Sequence, residues 1–142
     1  MIYNAFLDEI QSYIGDSTTY TDQLMSNGKR MFGDQFIGVF ASDQIPSQID
    51  RGDMMIVNLD AHNEPGSHWV AICKDEKDII WVYDSFGRNI HRILPSIYNG
   101  TRKIKSTERD PEQEDTESNC GARCLAFLQV FYVYGSKYAR YI

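Results

Sequence analysis

Apolar side chains at Phe6, Leu7, Ile10, Tyr13 and Ile14 return at three- and four-residue intervals after Asn4 and stop before Gly15. That spacing predicts a helix with one buried stripe. A second, shorter helical stretch is predicted through Asp22-Gln23-Leu24-Met25, ending at the turn signal Asn27-Gly28. The period then changes: residues 54–59, 69–73 and 79–83 are short runs rich in β-branched and aromatic residues, which predicts strands. Later still, apolar residues occupy every side of residues 121–131, behind Ser118 or Asn119 as N-cap. This predicts a helix without a solvent face, buried in the centre of the domain. Strands grouped between helical segments give the α+β class, a small mixed, mainly antiparallel sheet packed against a central buried helix.

The two runs 69–73 and 79–83 flank a polar turn, Lys74-Asp75-Glu76-Lys77-Asp78. A hairpin centred on Glu76 sets Ile72 opposite Ile80, Val70 opposite Val82 and His68 opposite Asp84, all six on one face. Directly opposed residues have Cβ atoms roughly 5 Å apart, within reach of a carboxylate for an imidazole N–H.

The chain has 142 residues, the size of a single domain spanning 1–142 with one core. Its net charge of −6 argues against a general nucleic-acid binder. Residues 101–117 pass from Arg102, Lys103, Lys105 and Arg109 to Asp110, Glu112, Glu114, Asp115 and Glu117, the composition of an exposed loop. Three cysteines, an odd number without framework spacing, fit a reducing compartment. The first ten residues carry Asp8 and Glu9 and lack an apolar run, so no secretory signal peptide and no membrane span are expected.

Four side chains change the picture from fold to chemistry. Attack on an acyl group needs a thiolate, a base that accepts and returns a proton, and a group that orients the base. Cys120, His68 and Asp84 supply these in turn, and Cys120 lies in the first turn of the predicted helix, where free N–H groups and the helix dipole favour a thiolate. The Gln113 side-chain amide and the Cys120 N–H are available as donors to an oxyanion. Taken singly, each residue has a plainer reading. A helix-start cysteine is usually a small buried hydrophobe, Cys124 reads as core, His62 and His91 read as exposed loop histidines, and Trp69 reads as packing that shields His68.

Taken together the residues resemble the adenovirus-type cysteine proteases, the adenain family, and most of all its members in virophages and polinton-like elements. Gly66-Ser67-His68-Trp69-Val70-Ala71-Ile72 is similar to the family's Gly-x-His-Trp segment, and Val82-Tyr83-Asp84-Ser85-Phe86-Gly87 to its acid followed by x-Phe-Gly. Gln113, six intervening residues and Cys120-Gly121 match its oxyanion glutamine and nucleophile. Phe36-Ile37-Gly38-Val39-Phe40-Ala41-Ser42-Asp43-Gln44-Ile45-Pro46, and the stretch from Ile56-Val57-Asn58-Leu59-Asp60 to Pro65-Gly66, resemble segments of the virophage-like members. The resemblance spans roughly residues 36–128. In this chain the acid is aspartate, as in the ubiquitin-like-protein proteases of the same clan, where mammalian adenovirus enzymes carry glutamate. The part after the nucleophile is shorter than theirs, so their groove walls and activator contacts are not carried over.

The resemblance implies a cysteine endopeptidase without a cofactor or metal, with His68, Asp84, Gln113 and Cys120 as its site. Implied substrates are viral capsid or core precursor proteins cut during virion maturation, inside the virion and the host cell. It also implies a monomer and allows a short peptide activator; DNA stimulation is expected to be small, because the basic residues of 101–117 are opposed by the acidic run beside them. Three other readings remain open: an isopeptidase of ubiquitin-like modifiers, an acetyltransferase of the same clan, and a metal site of Cys120, Cys124 and a histidine that lacks a fourth ligand.

Overall fold

A computed structural model describes residues 2–14, 21–59, 68–97, 103–107 and 119–142. Two helices lead, α1 (Ile2–Ile14) and α2 (Thr21–Phe32), followed by strands β1 (Phe36–Ala41), β2 (Met54–Asn58), β3 (Trp69–Lys74) and β4 (Ile79–Tyr83). A one-turn helix α3 (Ile90–Ile93), strand β5 (Lys103–Ser106), the long helix α4 (Cys120–Tyr134) and the short α5 (Ser136–Ala139) complete the order. The class is α+β, and the five strands form one mixed sheet in the order β1-β2-β3-β4-β5.

The central pairs β2–β3 and β3–β4 are antiparallel, but both edges pair parallel, β1 with β2 and β4 with β5, so the sheet is evenly mixed and not mainly antiparallel as expected. The edges escape a local reading because parallel neighbours need long crossovers instead of hairpin turns. β5 also corrects the expectation of an exposed loop throughout 101–117. In Lys103-Ile104-Lys105-Ser106, Ile104 pairs with Ile80 and packs on the core while Lys103 and Lys105 are exposed, so a charged edge strand has the composition of a loop.

Alternate residues of the central strands enter two cores. Trp69, Ala71 and Cys73 of β3, Trp81 and Tyr83 of β4, and Met54 and Ile56 of β2 face α1, α2 and α4. Val70, Ile72, Ile80, Val82, Met55 and Val57 face the other way, against Ile49, Ile90, Leu94 and Ile97. Because both faces are covered, β2 to β4 read as continuous apolar runs. Helix α4 lies across the sheet, with residues 120–128 all buried and the Phe127 ring stacked on Tyr83 at 4.7 Å. Its low amphipathicity therefore reflects burial, as the sequence predicted.

Helix α2 does not stop at Asn27-Gly28 but runs to Phe32. Gly28 marks a close approach: a Cβ there would lie 2.4 to 2.6 Å from the Phe36 ring, so glycine lets the helix pack onto the start of β1.

The hairpin register also differs from the expected one. Ala71 pairs with Tyr83, Ile72 with Val82, Cys73 with Trp81 and Lys74 with Ile80, two residues away from pairing centred on Glu76. The turn explains the difference. Asp78 N–H donates to the Asp75 carbonyl, Asp78 takes φ +64°, and Asp75 N–H donates to the Ile79 carbonyl, a three-residue loop of type I turn plus left-handed residue. An even shift keeps Val70, Ile72, Ile80 and Val82 on one face. His68 and Asp84, however, lie beyond the paired residues and are not opposed to each other.

Candidate active site

His68 immediately precedes β3, and its carbonyl accepts the Leu59 N–H at 3.0 Å, which continues the β2–β3 ladder by one step and fixes the backbone. Asp84 immediately follows β4 and opens a tight turn, in which the Gly87 N–H donates to the Asp84 carbonyl at 2.8 Å. Both strand ends lie at the same end of the sheet because β3 and β4 are antiparallel neighbours. Cys120 is the first residue of α4, which packs against β3. Three segments far apart in sequence thus deliver a thiol, an imidazole and a carboxylate to one place.

The contacts form a line. His68 Nε2 lies 2.7 Å from Asp84 Oδ1, and the ring is also hydrogen-bonded to the Cys120 thiol. All three side chains are buried. Asp84 is held from several sides: the Phe86 N–H donates to Oδ1 at 3.1 Å, and Oδ2 accepts the Arg88 N–H at 3.2 Å and the Arg88 Nε–H at 2.9 Å. The Phe86 ring stacks on the imidazole with centroids 4.6 Å apart, and the Arg88 guanidinium lies 5.1 Å from the centre of that ring.

Electrostatics follow from this packing. For Asp84, burial opposes ionisation, but the hydrogen bonds from His68, Arg88 and the Phe86 N–H outweigh it and hold the carboxyl well below the usual carboxylate range. His68 is pushed down by burial and up by Asp84 and Cys120, with a net rise. Burial raises the Cys120 thiol, yet His68 and the N–H groups of Trp69 and Gly121 lower it further, with a net fall. A raised imidazole beside a lowered thiol favours the thiolate–imidazolium pair. Such a pair can attack an electrophilic carbon and then return a proton to the leaving group.

The other cysteines lie in a different environment. Cys73 and Cys124 are fully buried, and burial pushes both thiols well up, so they remain neutral. Trp69 is buried in the core on the helix side of the sheet. His91 is exposed, on α3 instead of in a loop. Gln113, His62 and the preceding Gly66-Ser67 lie outside the described residues. Among the described residues, no group of three or more His, Cys, Asp and Glu side chains is arranged to hold a metal ion, and no helix is long and apolar enough to cross a membrane.

Several supporting groups carry no separate signal in a reading of residue types. Arg88 is an ordinary arginine in sequence; its spacing of four from Asp84 acquires meaning only through the turn at Gly87. Phe86 belongs to the Asp-x-Phe-Gly segment, but its stacking on His68 is a tertiary contact. Asn119 occupies the N-cap position without capping through its side chain: Oδ1 accepts the Arg123 Nε–H at 3.1 Å instead. Arg123 is itself buried and donates to the Tyr3 hydroxyl at 3.2 Å, and Tyr3 bonds the Tyr83 hydroxyl at 2.8 Å. This network ties the start of α4 to α1 and β4.

Comparison of the chain with models of protein families and with curated proteins returned no match.

Proposed function

We propose that the chain is a cysteine endopeptidase of the adenain type that cuts viral precursor proteins during virion maturation. The observation that carries this reading is the hydrogen-bonded line Cys120–His68–Asp84 at the start of a buried helix, with the thiol lowered and the imidazole raised. The ordered motifs around His68, Asp84, Gln113 and Cys120, which resemble those of the adenain family, supply the substrate class.

In the proposed reaction the Cys120 thiolate attacks the scissile carbonyl carbon, and the carbonyl π pair moves onto oxygen. The Cys120 N–H, in the first turn of a helix, where N–H groups have no partner within the helix, and the Gln113 amide stabilise that oxyanion. Collapse breaks the C–N bond, and the amine leaves with the proton held by His68. His68 then takes a proton from water, the hydroxide attacks the thioester, and the second collapse restores the thiolate and the imidazolium. Asp84 holds the ring throughout, as the third member of such a triad does.

The test is to incubate purified protein with the structural precursor proteins of its virus and read new N-termini by mass spectrometry, with Cys120→Ala as control. New termini that require Cys120 are expected. Precursors left intact by a protein that does hydrolyse isopeptide-linked ubiquitin-like modifiers would move the assignment to the isopeptidases of the same clan.

A further inference from the structure

Beside the carboxylate end of the Cys120–His68–Asp84 line lies a half-open concavity of about 530 Å³, with Arg88, Asn89, Arg92 and Ile93 in its wall. Its polar groups are donors. Arg88 spends Nε on Asp84, and no described residue accepts a hydrogen bond from its terminal nitrogens or from the guanidinium of Arg92. Asn89 accepts the His91 N–H through Oδ1, which leaves its amide N–H₂ group to donate. The half-buried Ile93 adds an apolar surface.

Charge accounting points the same way. Among the described residues, a thiolate, an imidazolium, the Asp84 carboxylate and the Arg88 guanidinium balance one another, and Arg92 adds a positive charge that no described carboxylate pairs with. Arg88 is already immobilised, by its bond to Asp84 and its place over the Phe86 ring, so little side-chain entropy is lost when it binds a ligand. Planar guanidinium groups match the two oxygens of a carboxylate.

We propose that this concavity is a substrate subsite for a glutamate or aspartate side chain, gripped by Arg88 and Arg92. The proposal rests on the protease reading and adds a specificity to it. Along the line Cys120–His68–Asp84–Arg88 the subsite is on the order of 10 Å from the sulfur, which an extended peptide covers in about three residues. The acidic residue is therefore expected about three positions from the cut bond. A nucleic acid is the poorer fit, since a phosphate backbone needs an extended basic surface and the chain carries a net charge of −6.

Two measurements test this. In the Cys120→Ala protein, the Nε–Hε NMR resonances of Arg88 and Arg92 are followed during titration with acetyl-Glu-Gly-Glu-amide, acetyl-Gln-Gly-Gln-amide and a short single-stranded oligothymidylate. The glutamate peptide should shift both resonances, the glutamine peptide should not, and Arg92→Glu should abolish the response. No shift, or equal shifts with both peptides, overturns the subsite; stronger binding by the oligothymidylate overturns it in favour of nucleic acid. In parallel, a proteome-derived peptide library is cut with wild-type and Arg92→Glu protein. Peptides with Asp or Glu near the third position should be cut about tenfold better by the wild type, and Arg92→Glu should move that preference to Lys or Arg. An acidic preference that survives Arg92→Glu, or none at all, also overturns the proposal. A library left uncut by the wild type counts against the protease reading alone, and the NMR titration still decides the subsite.

Discussion

Arg88 and Asp84, four residues apart, are joined twice through the same oxygen: Asp84 Oδ2 accepts both the backbone N–H of Arg88 at 3.2 Å and its Nε–H at 2.9 Å. The other oxygen is left to His68, at 2.7 Å, and to the Phe86 N–H. A carboxylate divided this way has one orientation, and the imidazole that it holds has one as well. Removing the charge in Asp84→Asn is expected to slow Cys120 alkylation by iodoacetamide at pH 6 by about tenfold or more, a loss of roughly 1.4 kcal/mol in thiolate stabilisation. Arg88→Lys keeps a charge but loses the Nε–H donor to Asp84 Oδ2 and should fall between wild type and Asp84→Asn. An Arg88→Ala protein with the wild-type alkylation profile would show that the guanidinium does not orient Asp84.

The direction of the two shifts at Cys120 and His68 sets a pH dependence. A lowered thiol beside a raised imidazole favours the thiolate–imidazolium pair, so alkylation of Cys120 should reach its plateau at a lower pH than that of an ordinary thiol. An ordinary thiol gains reactivity up to about pH 8.5. At sub-stoichiometric reagent, peptide mapping should find Cys120 modified ahead of Cys73 and Cys124, whose burial keeps them neutral. Equal labelling of the three in folded protein, or a tenfold rise per pH unit from pH 6 to 8, would contradict the activated thiol.

Replacing Gln113 by alanine should lower kcat for peptide cleavage by about 10² to 10³, the cost of one oxyanion donor, and leave the melting temperature and the alkylation of Cys120 nearly unchanged. Full turnover in Gln113→Ala would remove it from the site.

Asp75 is a structural carboxylate with a testable acid limit. Buried in the β3–β4 turn, it accepts the Trp81 Nε1–H at 2.9 Å, the Ile79 and Lys77 N–H groups, and the Ser136 hydroxyl at 3.1 Å. Burial opposes its ionisation, but these bonds prevail and its carboxyl lies below the ordinary value. A lowered folded-state value means that the stabilisation is present above the unfolded value of about 4 and is lost as pH falls through that region. Asp75→Ala should therefore destabilise by about 2–4 kcal/mol at pH 7, since it also strands the Trp81 N–H. The gap from wild type should narrow below about pH 4, as read from urea midpoints. A gap independent of pH would assign the loss to packing instead of charge.

Gly28 reverses a general rule. In an exposed helix, alanine for glycine stabilises by about 1 kcal/mol. Here the added methyl meets the Phe36 ring, so Gly28→Ala should destabilise by about 1–3 kcal/mol. Pairing it with Phe36→Leu should recover part of the loss, and a Gly28→Ala protein that melts higher than wild type would refute the close approach.

Local periodicity determined much of the architecture. The stripe Phe6, Leu7, Ile10, Tyr13 and Ile14 appears as α1, although its buried face is Tyr3, Leu7 and Ile10 and Tyr13 is exposed; the all-round apolar run behind Asn119 appears as the buried α4, and the runs at 54–59, 69–73 and 79–83 as β2, β3 and β4, since helix and strand periods are written in neighbouring residues. His68, Asp84 and Cys120 were legible by residue type and order, and they meet in the fold; Gln113 lies outside the described residues. What only the tertiary structure decided depends on long-range packing. The left-handed Asp78 set a register two residues from the one read by symmetry, so His68 and Asp84 meet past the strand ends instead of across a pair. Strands β1 and β5 exist because distant neighbours supply their hydrogen bonds, which composition does not reveal. Arg88, Phe86 and the Trp69 N–H join the site for the same reason: a side chain's type is set locally, whereas its partner is chosen by how the chain returns on itself.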